Sequence, residues 1–70
     1  MQITLNGVNR KMEPGTTIAM LVAQLAGESD KDIRGIAIER NLEIVPKSEF
    51  AATVIEDGDR IELVQFVGGG

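Results

Sequence analysis

The sequence predicts an α+β domain of two layers, a mixed sheet of four to five strands with one main helix packed on one face. Three observations predict it. Gln2-Ile3-Thr4-Leu5 alternates polar and apolar residues and runs straight into Asn6-Gly7, the strongest short hairpin signal available to a sequence. A single amphipathic stretch follows, with Ile18, Leu21, Val22 and Leu25 spaced i, i+3, i+4 and i+7. The later apolar segments return to a period of two, ending in Arg60-Ile61-Glu62-Leu63-Val64-Gln65-Phe66. A lone helix with one apolar stripe needs a sheet to cover it, and the strands on either side supply one.

Taken in order, the hairpin places a second strand from Val8 to Glu13. Val8 and Met12 share a face with Arg10 there, so Arg10 must snorkel, sit at the sheet margin or mark a bulge. Pro14-Gly15 ends the strand, and Thr16 or Thr17 offers an N-cap hydroxyl to a helix of about ten residues starting near Ile18, with Gly27 as its C-terminal cap. Glu28 to Asp32 is a charged, solvated connection. Gly35 to Glu39 reads as a strand, Arg40-Asn41-Leu42 as a turn, and Glu43-Ile44-Val45 as a short strand ended by Pro46. Pro46 to Phe50 has turn or short-helix character, with Phe50 and Val54 as plugs for the core. Asp57-Gly58-Asp59 is a tight turn into the last strand. The first and last strands are the most apolar, which suits neighbouring central positions. Ile61 and Leu63 then face the helix, and Glu62, Val64 and Phe66 face away.

Seventy residues support one core and no second. There is no Cys and no His, which removes disulfides, thiolate chemistry, the usual general base near neutral pH and the commonest metal ligand. The net charge of -4, with seven basic residues scattered along the chain, argues against nucleic acid, and two phenylalanines give no stacking platform for single strands. No apolar run approaches membrane-spanning length and the N-terminus lacks a signal-peptide pattern. A soluble cytoplasmic protein without catalytic side chains of its own is expected.

Two features invite a chemical reading and decline it. Asp57 and Asp59 flank Gly58, but the further oxygens that calcium requires are missing. Gly68-Gly69-Gly70 precedes no helix and no Lys-Ser/Thr pair, so it is no phosphate loop. What is left is the chain end itself. Read alone, three glycines fit first a frayed terminus or linker remnant, and second a flexible tail (68–70) on a domain (1–67) that threads a narrow cleft and delivers the Gly70 carboxylate to another protein's active site. An ionised carboxylate is inert as an acylating group until a partner activates it. Val64, Phe66 and Val67, just before the glycines, are the candidate docking patch.

These segments together carry a resemblance. Asn6-Gly7 after an opening strand, Pro14-Gly15-Thr16-Thr17-Ile18 before a helix, Ile44-Val45-Pro46-Lys47-Ser48-Glu49-Phe50, Asp57-Gly58-Asp59-Arg60-Ile61-Glu62-Leu63 and a terminal Gly69-Gly70 resemble the ThiS family, the sulfur carriers of thiamine biosynthesis. The Gly-Gly end and Asp-Gly-Asp turn are shared with the molybdopterin-synthase small subunit and other ubiquitin-like carriers, and the Val-Pro-Lys-Ser-Glu-Phe run tilts the resemblance to ThiS. Phe50 stands where the family often has Trp, and Gly68 extends the tail to a triple glycine. The resemblance implies a ubiquitin-like β-grasp fold and a co-substrate role. A ThiF-type adenylyltransferase would activate Gly70 with ATP and Mg²⁺, neither bound by this chain. A sulfur donor system would convert it to a thiocarboxylate, with Gly69 and Gly68 entering the partner's active site, and a ThiG-type thiazole synthase would take the sulfur. The alternatives are a carrier for molybdopterin or tRNA thiolation, and an interaction module whose tail is idle.

Overall fold

The computed structural model describes residues 1–28 and 35–65. Five strands, β1 (Gln2–Leu5), β2 (Val8–Lys11), β3 (Ile36–Arg40), β4 (Glu43–Val45) and β5 (Arg60–Gln65), form one sheet in the order β2-β1-β5-β3-β4, and one helix, α1 (Ile18–Glu28), covers one face. β1 and β5 are adjacent and parallel, while every other pairing is antiparallel. The last strand is therefore the middle one, held on both sides. The α+β class and the placing of the first strand beside the last are as the sequence predicts.

Local chemistry accounts for each boundary. Asn6 and Gly7 both have positive φ, 51° and 82°, the two-residue turn that matches strand twist in a tight hairpin. The β1–β2 register is unbroken from Leu5↔Val8 to Gln2↔Lys11, so there is no bulge. Arg10 instead lies opposite Ile3 and reaches the end of α1, where its guanidinium donates to both carboxylate oxygens of Glu28 at 2.7 and 2.6 Å. That hydrogen-bonded ion pair holds the exposed Glu28 carboxyl below its usual value. β2 stops at Lys11, short of the predicted Glu13, yet Met12 is buried in the core.

Thr17 is the N-cap of α1, its Oγ1 accepting from the Met20 N–H at 3.1 Å, while the Thr16 hydroxyl donates to the Glu13 carbonyl. Two further N–H groups at the start of the helix, those of Ile18 and Ala19, donate to the carbonyls of Thr53 and Phe50. The irregular segment after β4 thus satisfies donors that an α-helix leaves open at its first turn. Gly27 is not the cap the sequence suggested: the helix runs through it to Glu28, and its φ lies outside the left-handed range.

The core comprises Ile3, Leu5, Met12, Ile18, Leu21, Ile38, Ile55 and Ile61, with Val22, Leu25, Phe50 and Leu63 packed against it. The predicted helix stripe and the helix-facing parity of Ile61 and Leu63 both hold. Val54 does not plug the core. It is 49% exposed, and its neighbour Ile55, at 1%, is the plug. Val54 pairs with Thr17 in a single antiparallel bridge and the Ile55 N–H donates to the Thr16 carbonyl at 2.9 Å, and this pairing turns Ile55 inward. Phe50, at the end of a short 3-10 turn (Lys47–Glu49), is the half-buried plug expected of it.

Candidate functional site

The site begins with how β5 is held, because the glycines begin three residues past its end. Asp59 precedes β5 and is buried. Its Oδ2 accepts from Arg40 Nε at 2.7 Å and from the Glu56 N–H at 2.9 Å, and its Oδ1 accepts from Asn41 Nδ2 at 3.0 Å. Burial alone pushes the Asp59 carboxyl up, but the Glu56 N–H, the Arg40 guanidinium and the Asn41 amide outweigh it and hold the pKa below the usual value. The same pair raises that of Arg40, chiefly through the hydrogen bond to Asp59. Asn41 is bonded in both directions, since its Oδ1 accepts from the Arg60 N–H at 3.0 Å and its own N–H donates to the Arg60 carbonyl at 2.8 Å. The β3–β4 turn is thereby fastened to the first residue of the last strand.

Further along β5, the N–H groups of Thr4 and Asn6 donate to the carbonyls of Asp59 and Ile61 at 2.9 and 3.0 Å. β1 ends at Leu5, and the Asn6 side chain takes its place: Oδ1 accepts from the Leu63 N–H at 2.9 Å. Among the described residues, Val64 and Gln65 pair with β3 alone, opposite Ala37 and Ile36. The strand is hydrogen-bonded on both sides through Leu63, and beyond it, among the described residues, on the β3 side alone.

Of the residues picked out from the sequence, Val64 lies on the sheet face away from α1, half-buried and opposite Ala37, as its parity predicts. Phe66, Val67, Gly68, Gly69 and Gly70 lie outside the described residues, so of the residues expected to form a docking patch only Val64 is located. The Asp-Gly-Asp turn is structural. Gly58 adopts φ 86°, Asp57 Oδ1 accepts from the Gln2 N–H at 2.8 Å, and Asp59 is fully engaged as above. Among the described residues no group of His, Cys, Asp or Glu could hold a metal ion, and no helix is long and apolar enough to cross a membrane. An apolar cleft of about 400 Å³ opens between α1 and the β3–β5 pair, walled by Ala19, Ala23, Ala26, Ile38, Phe50 and Leu63. Sequence reasoning did not find the roles of Asn6 and Asn41, because their partners are 57 and 19 residues away.

A five-stranded mixed sheet in this order, one helix across it and a central last strand leading to the glycine end define the ubiquitin-like β-grasp class. The particular family follows from the comparisons. The chain belongs to the ThiS family, whose sequence model matches residues 3–70. It is 36% identical to the sulfur carrier protein ThiS of Escherichia coli over the whole of both chains. It superposes on the crystal structure of the thiamine biosynthesis protein ThiS from Geobacter metallireducens with a TM-score of 0.83 and 28% identity, each chain covered in full. It is also 46% identical to a stretch of a thiazole synthase from Paramagnetospirillum magneticum. The chain spans 20% of the length of the thiazole synthases it matches.

Proposed function

We propose that the chain is a sulfur carrier for thiamine biosynthesis: a cytoplasmic co-substrate, and not an enzyme, whose working group is the carboxyl of Gly70. The observation that carries this reading is the end-to-end similarity to the Escherichia coli sulfur carrier, reaching through the glycines. In this reading a ThiF-type adenylyltransferase, using ATP and Mg²⁺, joins the Gly70 carboxylate to AMP with release of pyrophosphate. The terminal sulfur of a cysteine persulfide in the donor system then attacks the acyl-adenylate and displaces AMP, giving an acyl disulfide. A second thiol of that system attacks the disulfide, taking the cysteine sulfur into a new disulfide and releasing the thiocarboxylate. A ThiG-type thiazole synthase takes that sulfur into the thiazole ring. The similarity to a stretch of a thiazole synthase supports this last partner.

The chain's own contribution is positional. Its described side chains offer no nucleophile beyond hydroxyls, amines and carboxylates already engaged in structure or exposed on the surface. The middle strand, clamped by Asn6, Asn41 and Asp59, gives the tail a fixed origin. Gly69 and Gly68 carry no Cβ to obstruct entry to a narrow active site or attack at the Gly70 carbonyl. Deleting Gly70, or replacing Gly69 by Trp, should leave the melting curve unchanged and abolish sulfur transfer to thiazole in a reconstituted mixture. Undiminished transfer by either variant rejects the tail mechanism.

A further inference from the structure

The β3–β4 hairpin closes through the two-residue turn Asn41-Leu42, which requires positive φ at both positions and places a leucine where the turn favours glycine. Leu42 has φ 72°, a left-handed conformation that bulky residues rarely adopt and that glycine adopts freely. Its neighbour Asn41, at φ 52°, is a residue type that tolerates the region, and its side chain is bonded to Asp59 and Arg60. Leu42 has no such compensation in burial, for it is 73% exposed. The hairpin explains the conformation but not the side chain, and a leucine kept where glycine would be unstrained and where the core does not use it points to a use outside the fold.

Its surroundings say what kind of use. Ile44, two residues on along the edge strand, is 57% exposed, so the tip and the edge present two apolar side chains in sequence. Acidic groups border them: Glu43 lies between, and Ile44 sits opposite Glu39, which in turn faces Glu62 across β3 and β5. Arg60 pairs with Glu62 at 2.8 Å and Arg40 with Asp59 at 2.7 Å, which neutralises those two carboxylates and leaves Glu43 and Glu39 as the acidic border. The complement of such a surface is an apolar pocket with a basic rim. The turn lies at the start of β5, where Arg40 is opposite Ile61, and the tail leaves from the other end, where Ile36 is opposite Gln65. The six residues of β5 separate the two by about 17 Å, within the span of one interface of roughly 800 Å² per side.

We infer that Leu42, with Ile44 beside it, is a second anchor that docks in an apolar, basic-rimmed pocket of the thiazole synthase while the tail occupies its active site. The inference rests on the sulfur-carrier reading. The thiazole synthase is chosen over the adenylating enzyme because two relatives, 46% and 39% identical to the whole of this chain, are named thiazole synthases, with this domain making up 20% of each. A glycine tail common to many carriers cannot distinguish receivers, whereas a rigid apolar tip at the far end of the sheet can.

The experiment pairs binding with stability in the full chain. Leu42→Gly removes the strain and the side chain together. It should raise the thermal midpoint by about 5 °C and weaken the complex with purified thiazole synthase, measured by calorimetry, about tenfold or more. Leu42→Asn should behave alike. Val8→Ala, at an equally exposed residue of the opposite edge strand, should bind as the parent does. Parent-like binding by Leu42→Gly, no binding by the parent chain, or a lowered midpoint accompanying weaker binding overturns the inference. Thiocarboxylate formation by the adenylating enzyme, followed by mass, should be normal in both parent and Leu42→Gly. Its loss in the variant alone moves the anchor to that enzyme and overturns the inference, while its absence in the parent refutes the carrier reading itself.

Discussion

Asp59→Asn tests whether the buried carboxylate is the fastening of β5. The substitution keeps shape and removes charge. The amide oxygen can stand in for Oδ2 and keep the bonds from Arg40 and the Glu56 N–H, the first no longer charge-assisted on both sides. The amide nitrogen then falls where Oδ1 accepted from Asn41 Nδ2, donor against donor. Asn41 cannot resolve this by rotating, since its Oδ1 is held by the Arg60 N–H. One weakened charged bond and one broken bond at a buried site amount to about 2 kcal/mol. For a domain of this size that is a loss of roughly 8–16 °C in melting temperature. The effect should depend on pH with a definite sign. Asp59 has a folded pKa below its unfolded one, so its contribution is present above the unfolded value of 3.8 and is lost as pH falls through the folded value. The gap between parent and Asp59→Asn, followed by circular dichroism melts, should therefore be full at pH 7 and narrow in acid. Melting within about 2 °C of the parent at pH 7, or a gap that is unchanged through the acid range, refutes the reasoning.

Two other substitutions test the packing. Ile55→Ala should cost about 3 kcal/mol, while Val54→Ala next to it should stay within roughly 0.5 kcal/mol; urea denaturation measures both, and equal effects would contradict the inward turn of Ile55. Phe50→Trp should add about 1 kcal/mol by extending into the apolar cleft walled by Ala19, Ala23 and Ala26, with the half-buried position leaving the indole N–H access to water. A lower denaturation midpoint would show that the cleft does not accept the larger ring.

Much of the fold was legible because periodicity is a local property. The stripe of Ile18, Leu21, Val22 and Leu25, the Asn6-Gly7 hairpin and the alternation of Ile61 and Leu63 each determine a face without reference to distant residues. Where the chain is irregular, that logic has nothing to act on. Val54 and Ile55 are adjacent, both β-branched and both apolar, and a backbone bond from Ile55 to Thr16, 39 residues away, selects between them. Gly27 looked like a stop signal, but its backbone keeps helical pairing and the helix ends beside Arg10 instead. The Asp-Gly-Asp turn was read correctly as a turn. That its second carboxylate also holds Arg40 and Asn41 follows only from the sheet order bringing β3 beside β5. For the site, the sequence supplied the glycines and the family resemblance, and the comparisons bear out the family. The exposed Leu42 was passed over as a turn residue, since a strained φ leaves no mark in a list of residues.

The central claim is that the carboxyl of Gly70 carries sulfur. The most direct measurement is the intact mass of the chain after incubation with a ThiF-type adenylyltransferase, ATP, Mg²⁺, a persulfide sulfur source and a thiol reductant. The account predicts the mass gain of one sulfur replacing one oxygen, localised by fragmentation to Gly70 and dependent on ATP. An unchanged mass under conditions that convert a known ThiS protein, or a gain localised to any other residue, would contradict it.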